Sequence, residues 1–278
     1  MKLRRFYREL PVRLKRSLKH NFKRLFNLKS KSFGDLENCG YQTCSDEIKS
    51  IKILLNFANK RKKGFLDKSV KSSKPFWNEL IEDSKWFEYE EIKIWLKNNL
   101  YLFKIADSYL KTKSVLSNIY MMESFYENKS LLGSRAWHKD GDDTRTLKLF
   151  IYLTDVENHE AGPLEIIPLK NEFKLFRIFP LNLKRFDDNS KLLKAINLLN
   201  KMNQKISFLG KKGHSFFVDS SRLYHRGSRC SKGKSRIVFI LTFVTSQPLY
   251  ELDHKLWVKK WDRICKYNLE IRTLLKHS

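Results

Sequence analysis

Residues 137–154 read WHKDGDDTRTLKLFIYLT, and both halves of that stretch bear on the fold. The second half alternates: Leu147, Leu149, Ile151 and Leu153 against Lys148, Phe150, Tyr152 and Thr154. A period of two is that of a β-strand. The first half sets His138 and Asp140 two residues apart, so on extended backbone both side chains leave the same face. An imidazole beside a carboxylate begins a metal site, and a third donor stands far downstream at His225, in Leu-Tyr-His-Arg-Gly.

Further strand signals lie on either side. Tyr120–Phe125 is a first candidate; Ala161-Gly162-Pro163 is a turn leading to a short strand, Leu164–Ile167; Ser215–Val218 and Arg236–Val244 follow. Short strands punctuated by Gly and Pro predict a mainly β fold with helical flanks, built as a double-sheet jelly roll. Such a barrel presents alternate residues to its interior, so Asp140 and His225 can converge in its mouth. Arg236, eleven residues after His225, heads an apolar run that reads as a buried strand. An unpaired guanidinium there is costly, and a carboxylate brought from outside resolves the cost by bidentate pairing. Two His and one carboxylate on one face of a metal, with the opposite positions open, is the site of non-haem Fe(II) oxygenases. His-x-Asp alone is more often a solvated loop; the order of strand, turn, distal His and Arg is what restricts the reading.

Three segments carry a resemblance: WHKDG, then LKLFIYLTDVENHEAGPLEIIP, then KKGHSFFVDSSRLYHRGSRCSKGKSRIVFILTFV. Across about residues 133–245, with gaps, the chain resembles the phytanoyl-CoA dioxygenase-like family of Fe(II)/2-oxoglutarate-dependent oxygenases. The resemblance implies a cupin-like double-stranded β-helix. It also implies Fe(II) on His138, Asp140 and His225, with Arg236 on the distal carboxylate of 2-oxoglutarate and dioxygen as the third reactant. The implied reaction hydroxylates an unactivated C–H bond and releases succinate and carbon dioxide. Asp140 sets the chain apart from halogenating relatives, which carry a small residue there. Lys148 and Tyr152 would face the pocket and orient the oxoacid. The chain departs from the family at Leu169-Lys170-Asn171, where Gly-Ser-His is usual, and at His214, where Asp is usual.

The rest of the chain reads as flanks. Residues 1–45 form a basic amphipathic segment and linker: residues 1–31 hold twelve Lys and Arg against one acid, Glu9, with Leu14, Leu18, Phe22, Leu25 and Phe26 at helical spacing. Such a stripe can lie on an anionic membrane surface or pack on the body of the protein. Residues 46–132 read as a helical flank: one helix opens at Asp46-Glu47, carries Ile48, Ile51, Leu54, Leu55 and Ala58 and ends at Gly64, others lie at 90–103 and 107–116, and Trp77, Trp86 and Trp95 read as core aromatics. The catalytic core spans 133–247 and carries a helical insertion at 172–206; residues 248–278 form a C-terminal helical cover. Lys plus Arg is 56 against 30 acids, a net charge of +26, which favours a small anionic substrate. Nucleic acid is not expected as a partner. The four Cys are too scattered for a disulfide framework or a zinc site, which points to a cytoplasmic protein with free thiols. No apolar run is long enough to span a membrane. Two rival readings stay open: a cupin-like metal enzyme without redox chemistry, and a non-enzymatic binding module with a basic N-terminus. Arg236 speaks against the first and the intact ligand set against the second.

Overall fold

The alternation in Leu147–Tyr152 separates two cores. Leu147, Leu149 and Ile151 pack into a cluster shared with the helices, while Phe150 and Tyr152 belong to a second cluster between two sheets. The computed structural model describes residues 34–44, 48–66, 76–81, 85–127, 133–169, 205–246 and 255–275. The basic segment 1–31 lies outside the described residues, as does all but the end of the insertion at 172–206.

In chain order the elements are α1 (Gly34–Cys39), β1 (Tyr41–Thr43), α2 (Ile51–Leu66), β2 (Trp77–Glu79), α3 (Glu90–Asn98), α4 (Tyr101–Leu110), β3 (Ser114–Phe125) and β4 (Leu147–Tyr152). They continue with β5 (Leu164–Ile167), β6 (Ile206–Ser207), β7 (Ser215–Asp219), β8 (Tyr224–Gly227), β9 (Ser235–Thr245) and α5 (Lys255–Leu275). A six-stranded antiparallel sheet has the order β1-β7-β4-β9-β3-β2, and a three-stranded one the order β6-β5-β8. Side chains from the inner faces of both sheets, among them Phe150, Phe216, Val238, Leu164 and Ile166, share one cluster. This is the expected jelly roll. Gly162 makes the turn into β5 at φ +70, where a Cβ would strike the backbone of Arg229 and Cys230.

The outer face of the large sheet carries the helices. Trp95 of α3 meets Phe239 of β9 edge-on at 5.1 Å, and Phe103 of α4 meets Phe243 at 5.3 Å. Helix α3 opens with Glu90 and Glu91 and has Lys97 in its last turn, which suits the helix dipole at both ends. Helix α5 covers β3 at the register shift between Leu116 and Asn118. There the buried Asn268 accepts from the Leu116 amide at 2.8 Å and donates to its carbonyl at 3.1 Å. An apolar residue would leave those backbone groups without these bonds.

Local readings shift in four places. The single helix expected over 90–103 is two, α3 and α4, and α4 ends at Leu110 with Lys111 in the left-handed region. Strand β3 starts at Ser114, inside the stretch expected to be helical. Gly64 lies within α2 instead of ending it. Short edge strands β1 and β2 occupy stretches read as linker and as helical flank; at three residues each, they are too short to show a period. Trp86 and Trp95 are buried core aromatics, but Trp77 lines the cavity described next.

Candidate metal centre and cosubstrate pocket

His138 and His225 face each other across the edge of the small sheet. Each donates its amide to the other's carbonyl, at 3.1 and 3.0 Å, and their rings lie 4.3 Å apart. The Asp140 amide is held by the Ser220 carbonyl at 2.8 Å. One donor atom from each of His138, Asp140 and His225 falls within 4.8 Å of the others.

Both imidazoles are oriented by backbone. His138 Nδ1 lies 2.8 Å from the Ala136 carbonyl and His225 Nδ1 lies 3.1 Å from that of Leu223. A carbonyl only accepts, so the neutral rings carry their proton on Nδ1. The Nε2 lone pairs are then turned toward Asp140, 3.8 Å from Oδ1 for His138 and 3.5 Å from Oδ2 for His225. This is the tautomer a metal needs at Nε2.

Lys148 of β4 enters the same space, with Nζ 2.6 Å from Asp140 Oδ2. Burial disfavours the charge on both partners, but attraction to the Lys148 ammonium and its hydrogen bond outweigh it at Asp140 and hold that carboxyl far below the usual range. Asp140 in turn raises the Lys148 ammonium. Asp140 is therefore an anion, the form that ligates a hard cation.

These residues line a cavity of about 520 Å³ that also contains Tyr152, Arg236 and Arg135. Arg236 is 6 % exposed, and among the described residues its Nε and Nη1 have no hydrogen-bond partner. Its Nη2 passes over Gly227, where a Cβ would come within 3.0 Å. Tyr152 lines the cavity too, but its hydroxyl donates to the Phe208 carbonyl at 2.9 Å and accepts from the Leu164 amide at 3.0 Å. Burial pushes the Tyr152 hydroxyl up to about 12, against the opposing pull of Arg236 and the Leu164 amide. Tyr152 is thus tied to backbone on two sides and shapes the wall.

One feature of this region, Arg135, had no clear sequence signal. Arg135 is buried, donates Nη2 to the Phe125 carbonyl at 2.6 Å and stacks on Phe76 at 4.2 Å. It sits in a turn without periodicity. Asp219, fully buried at the end of β7, accepts from Tyr109, from Arg145 at 3.2 Å and from the Ser221 hydroxyl at 2.6 Å. It anchors the turn that leads to β8 and does not touch the imidazoles. The outlying His214 stacks loosely beside Phe216 and Tyr152, its ring held neutral by burial. The four cysteines are free. Among the described residues, no helix is long and apolar enough to cross a membrane.

No protein-family model matches the sequence, and no curated protein matches it. Solved structures do. The chain is similar to SnoK, a non-heme alpha ketoglutarate dependent carbocyclase from nogalamycin biosynthesis, at 12% identity over 80% of this chain and 86% of that one, with a TM-score of 0.56. It is similar to AviO1 from Streptomyces viridochromogenes Tue57 at 15% identity over 75% and 91%, with a TM-score of 0.52. HygX from Streptomyces hygroscopicus, solved with nickel and 2-oxoglutarate bound, matches at 10% identity over 78% and 88%, with a TM-score of 0.51. At such identities the likeness establishes the fold alone, a cupin-like jelly roll.

Proposed function

We propose that this protein is an Fe(II)/2-oxoglutarate-dependent oxygenase of the phytanoyl-CoA dioxygenase-like kind, hydroxylating an unactivated C–H bond of a small anionic molecule. One observation carries the reading: the His138, Asp140 and His225 donors share a cavity with the buried guanidinium of Arg236, two of whose nitrogens lack partners among the described residues. The donor set fits a divalent metal on chemical grounds, since it offers two neutral imidazole Nε2 atoms and one carboxylate. The guanidinium fits a carboxylate supplied by a ligand, because a buried cation without one is costly. A metal enzyme without an oxoacid would leave that cation unexplained. Neighbours in the fold solved with Fe3+ or nickel and with 2-oxoglutarate bound support the same assignment.

When bound, iron would supply the oxidising chemistry, with 2-oxoglutarate and dioxygen as cosubstrates. The residues of the chain position and neutralise. The Ala136 and Leu223 carbonyls keep the imidazoles in the ligating tautomer. Arg236 would take the distal carboxylate of the oxoacid and fix its orientation. Lys148, now beside Asp140, carries a second positive charge for the oxoacid or for an anionic substrate. The test is succinate release from 2-oxoglutarate by anaerobically iron-loaded protein, with and without oxygen. Oxygen-dependent succinate is the expected result. Metal-dependent chemistry indifferent to 2-oxoglutarate would replace the reading with a non-redox enzyme.

A further inference from the structure

The small sheet has two adjacent rows of residues with opposite uses. Strand register places Ile206, Ile166, His225 and His138 in one row, across β6, β5, β8 and the bridge segment. The next row holds Ser207, Glu165, Arg226 and, beside His138, Trp137. Neighbours along a strand leave opposite faces, so Arg226 backs His225 and Trp137 backs His138.

This second row is a buried ladder of contacts. Glu165 Oε2 accepts from Arg226 Nε at 2.7 Å, and Glu165 Oε1 from Lys205 Nζ at 2.6 Å. Arg226 then lies over the Trp137 ring at 4.5 Å. Glu165, Arg226 and Trp137 are exposed by only 2%, 7% and 2%. The segment that carries His138 needs such support, because it joins β8 by an isolated bridge rather than by a strand. Two backbone bonds to His225 set its pairing, the Asp140 amide on the Ser220 carbonyl holds its far end, and Trp137 with Arg226 packs behind it.

Resting on the metal reading above, we propose that Arg226 is a positioning residue for the metal donors. Glu165 fixes the plane of the guanidinium, the guanidinium stacks on Trp137, and the stack sets how His138 is presented to His225. A guanidinium that is hydrogen-bonded through Nε and stacked through its face needs the planar shape of Arg; Lys retains only the charge.

The test compares Co(II) titration of the metal-free full chain with its melting temperature, using wild type, Arg226→Ala, Arg226→Lys and Trp137→Leu. Groups that orient metal ligands typically change affinity by roughly 10–100-fold, and that loss is expected for Arg226→Ala, with a smaller one for Arg226→Lys. Trp137→Leu leaves the Glu165–Arg226 pair intact, so it tests the stack even if Arg226→Ala does not fold. The Co(II) absorption spectrum should change shape in the variants, because the donors are displaced. Variants that melt earlier but bind Co(II) with wild-type affinity and spectrum would reduce the ladder to strand packing and overturn the proposal. A wild type that takes up no Co(II) would overturn the metal reading itself, and this inference with it.

Discussion

Replacing Arg236 with Met should move stability and cosubstrate affinity in opposite directions. The side chain is 6 % exposed, and its Nε and Nη1 lack partners among the described residues. A buried polar group left unsatisfied costs about 1–3 kcal/mol, more when charged. Arg236 borders a cavity, where solvent offsets part of that cost, so the lower end applies to each nitrogen. Methionine is flexible enough to fill the space of the arginine stem. The cosubstrate-free variant should therefore gain about 1–2 kcal/mol, a rise in melting temperature of about 2–8 °C for a chain of this size. Binding of 2-oxoglutarate should weaken by roughly 2–5 kcal/mol, the usual loss on truncating one partner of a buried charge pair. At about 1.4 kcal/mol per decade this is about 30-fold to several thousand-fold. Arg236→Lys should recover part of the affinity, because a point charge cannot reproduce the fork. Scanning calorimetry of the metal-free protein and anaerobic titration of 2-oxoglutarate into Co(II)-loaded protein read the two effects. A variant that melts lower and binds 2-oxoglutarate normally would show that the guanidinium serves the fold.

His138→Ala, Asp140→Ala and His225→Ala should each abolish Fe(II)-dependent turnover and leave the far-UV dichroism unchanged; near-normal metal affinity in two of the three would remove the assignment. Asp219→Ala should destabilise the chain by about 3–5 kcal/mol in denaturant titration, since it removes the buried partner of the part-buried Arg145 beside Tyr109. Burial opposes the Asp219 charge, but Arg145, Arg222 and hydrogen bonds from Ser221 and Tyr109 prevail and hold the carboxyl below its ordinary value. Its stabilisation is thus complete above the unfolded value of about 3.9 and is lost as pH falls through the lower, folded one. Asp219→Asn should accordingly flatten the acid limb of a stability–pH profile, and an unchanged limb would contradict this. If residues 1–31 are a surface anchor, they should bind anionic vesicles at about 1 kcal/mol per cation near the surface; co-sedimentation equal on neutral vesicles, or unaffected by salt, would exclude an electrostatic anchor and leave packing on the body of the protein.

The grouping of His138, Asp140 and His225 was legible because three chemically distinctive residues stand at restrictive positions. His138 and Asp140 share a strand-like face, and His225 precedes a run that can only be a buried strand. Arg236 was legible for the opposite reason: a cation heading the apolar run from Ile237 to Val244 contradicts its surroundings. Strand β4 was legible as well, although both of its faces are buried. Its Lys148-Phe150-Tyr152 face looks amphipathic in sequence because the pocket needs polar atoms. Contacts between distant positions were not legible. Tyr109 meets Asp219 across 110 residues, and Arg226 meets Glu165 across 61. Each of these side chains reads as an ordinary surface residue until the sheets are assembled. Tyr152 shows the converse: its place on the pocket wall follows from the strand period, but the two backbone bonds of its hydroxyl depend on Phe208 and Leu164.

Oxygenases of this kind turn over slowly without their prime substrate, so equilibrium binding bears most directly on the central claim. Metal-free protein is titrated anaerobically with Fe(II), then with 2-oxoglutarate, by calorimetry. The account predicts one metal per chain, lost in His225→Ala, and one 2-oxoglutarate whose binding requires both the metal and Arg236. Binding of 2-oxoglutarate that ignores the metal, or tight metal binding with no affinity for 2-oxoglutarate, would contradict it.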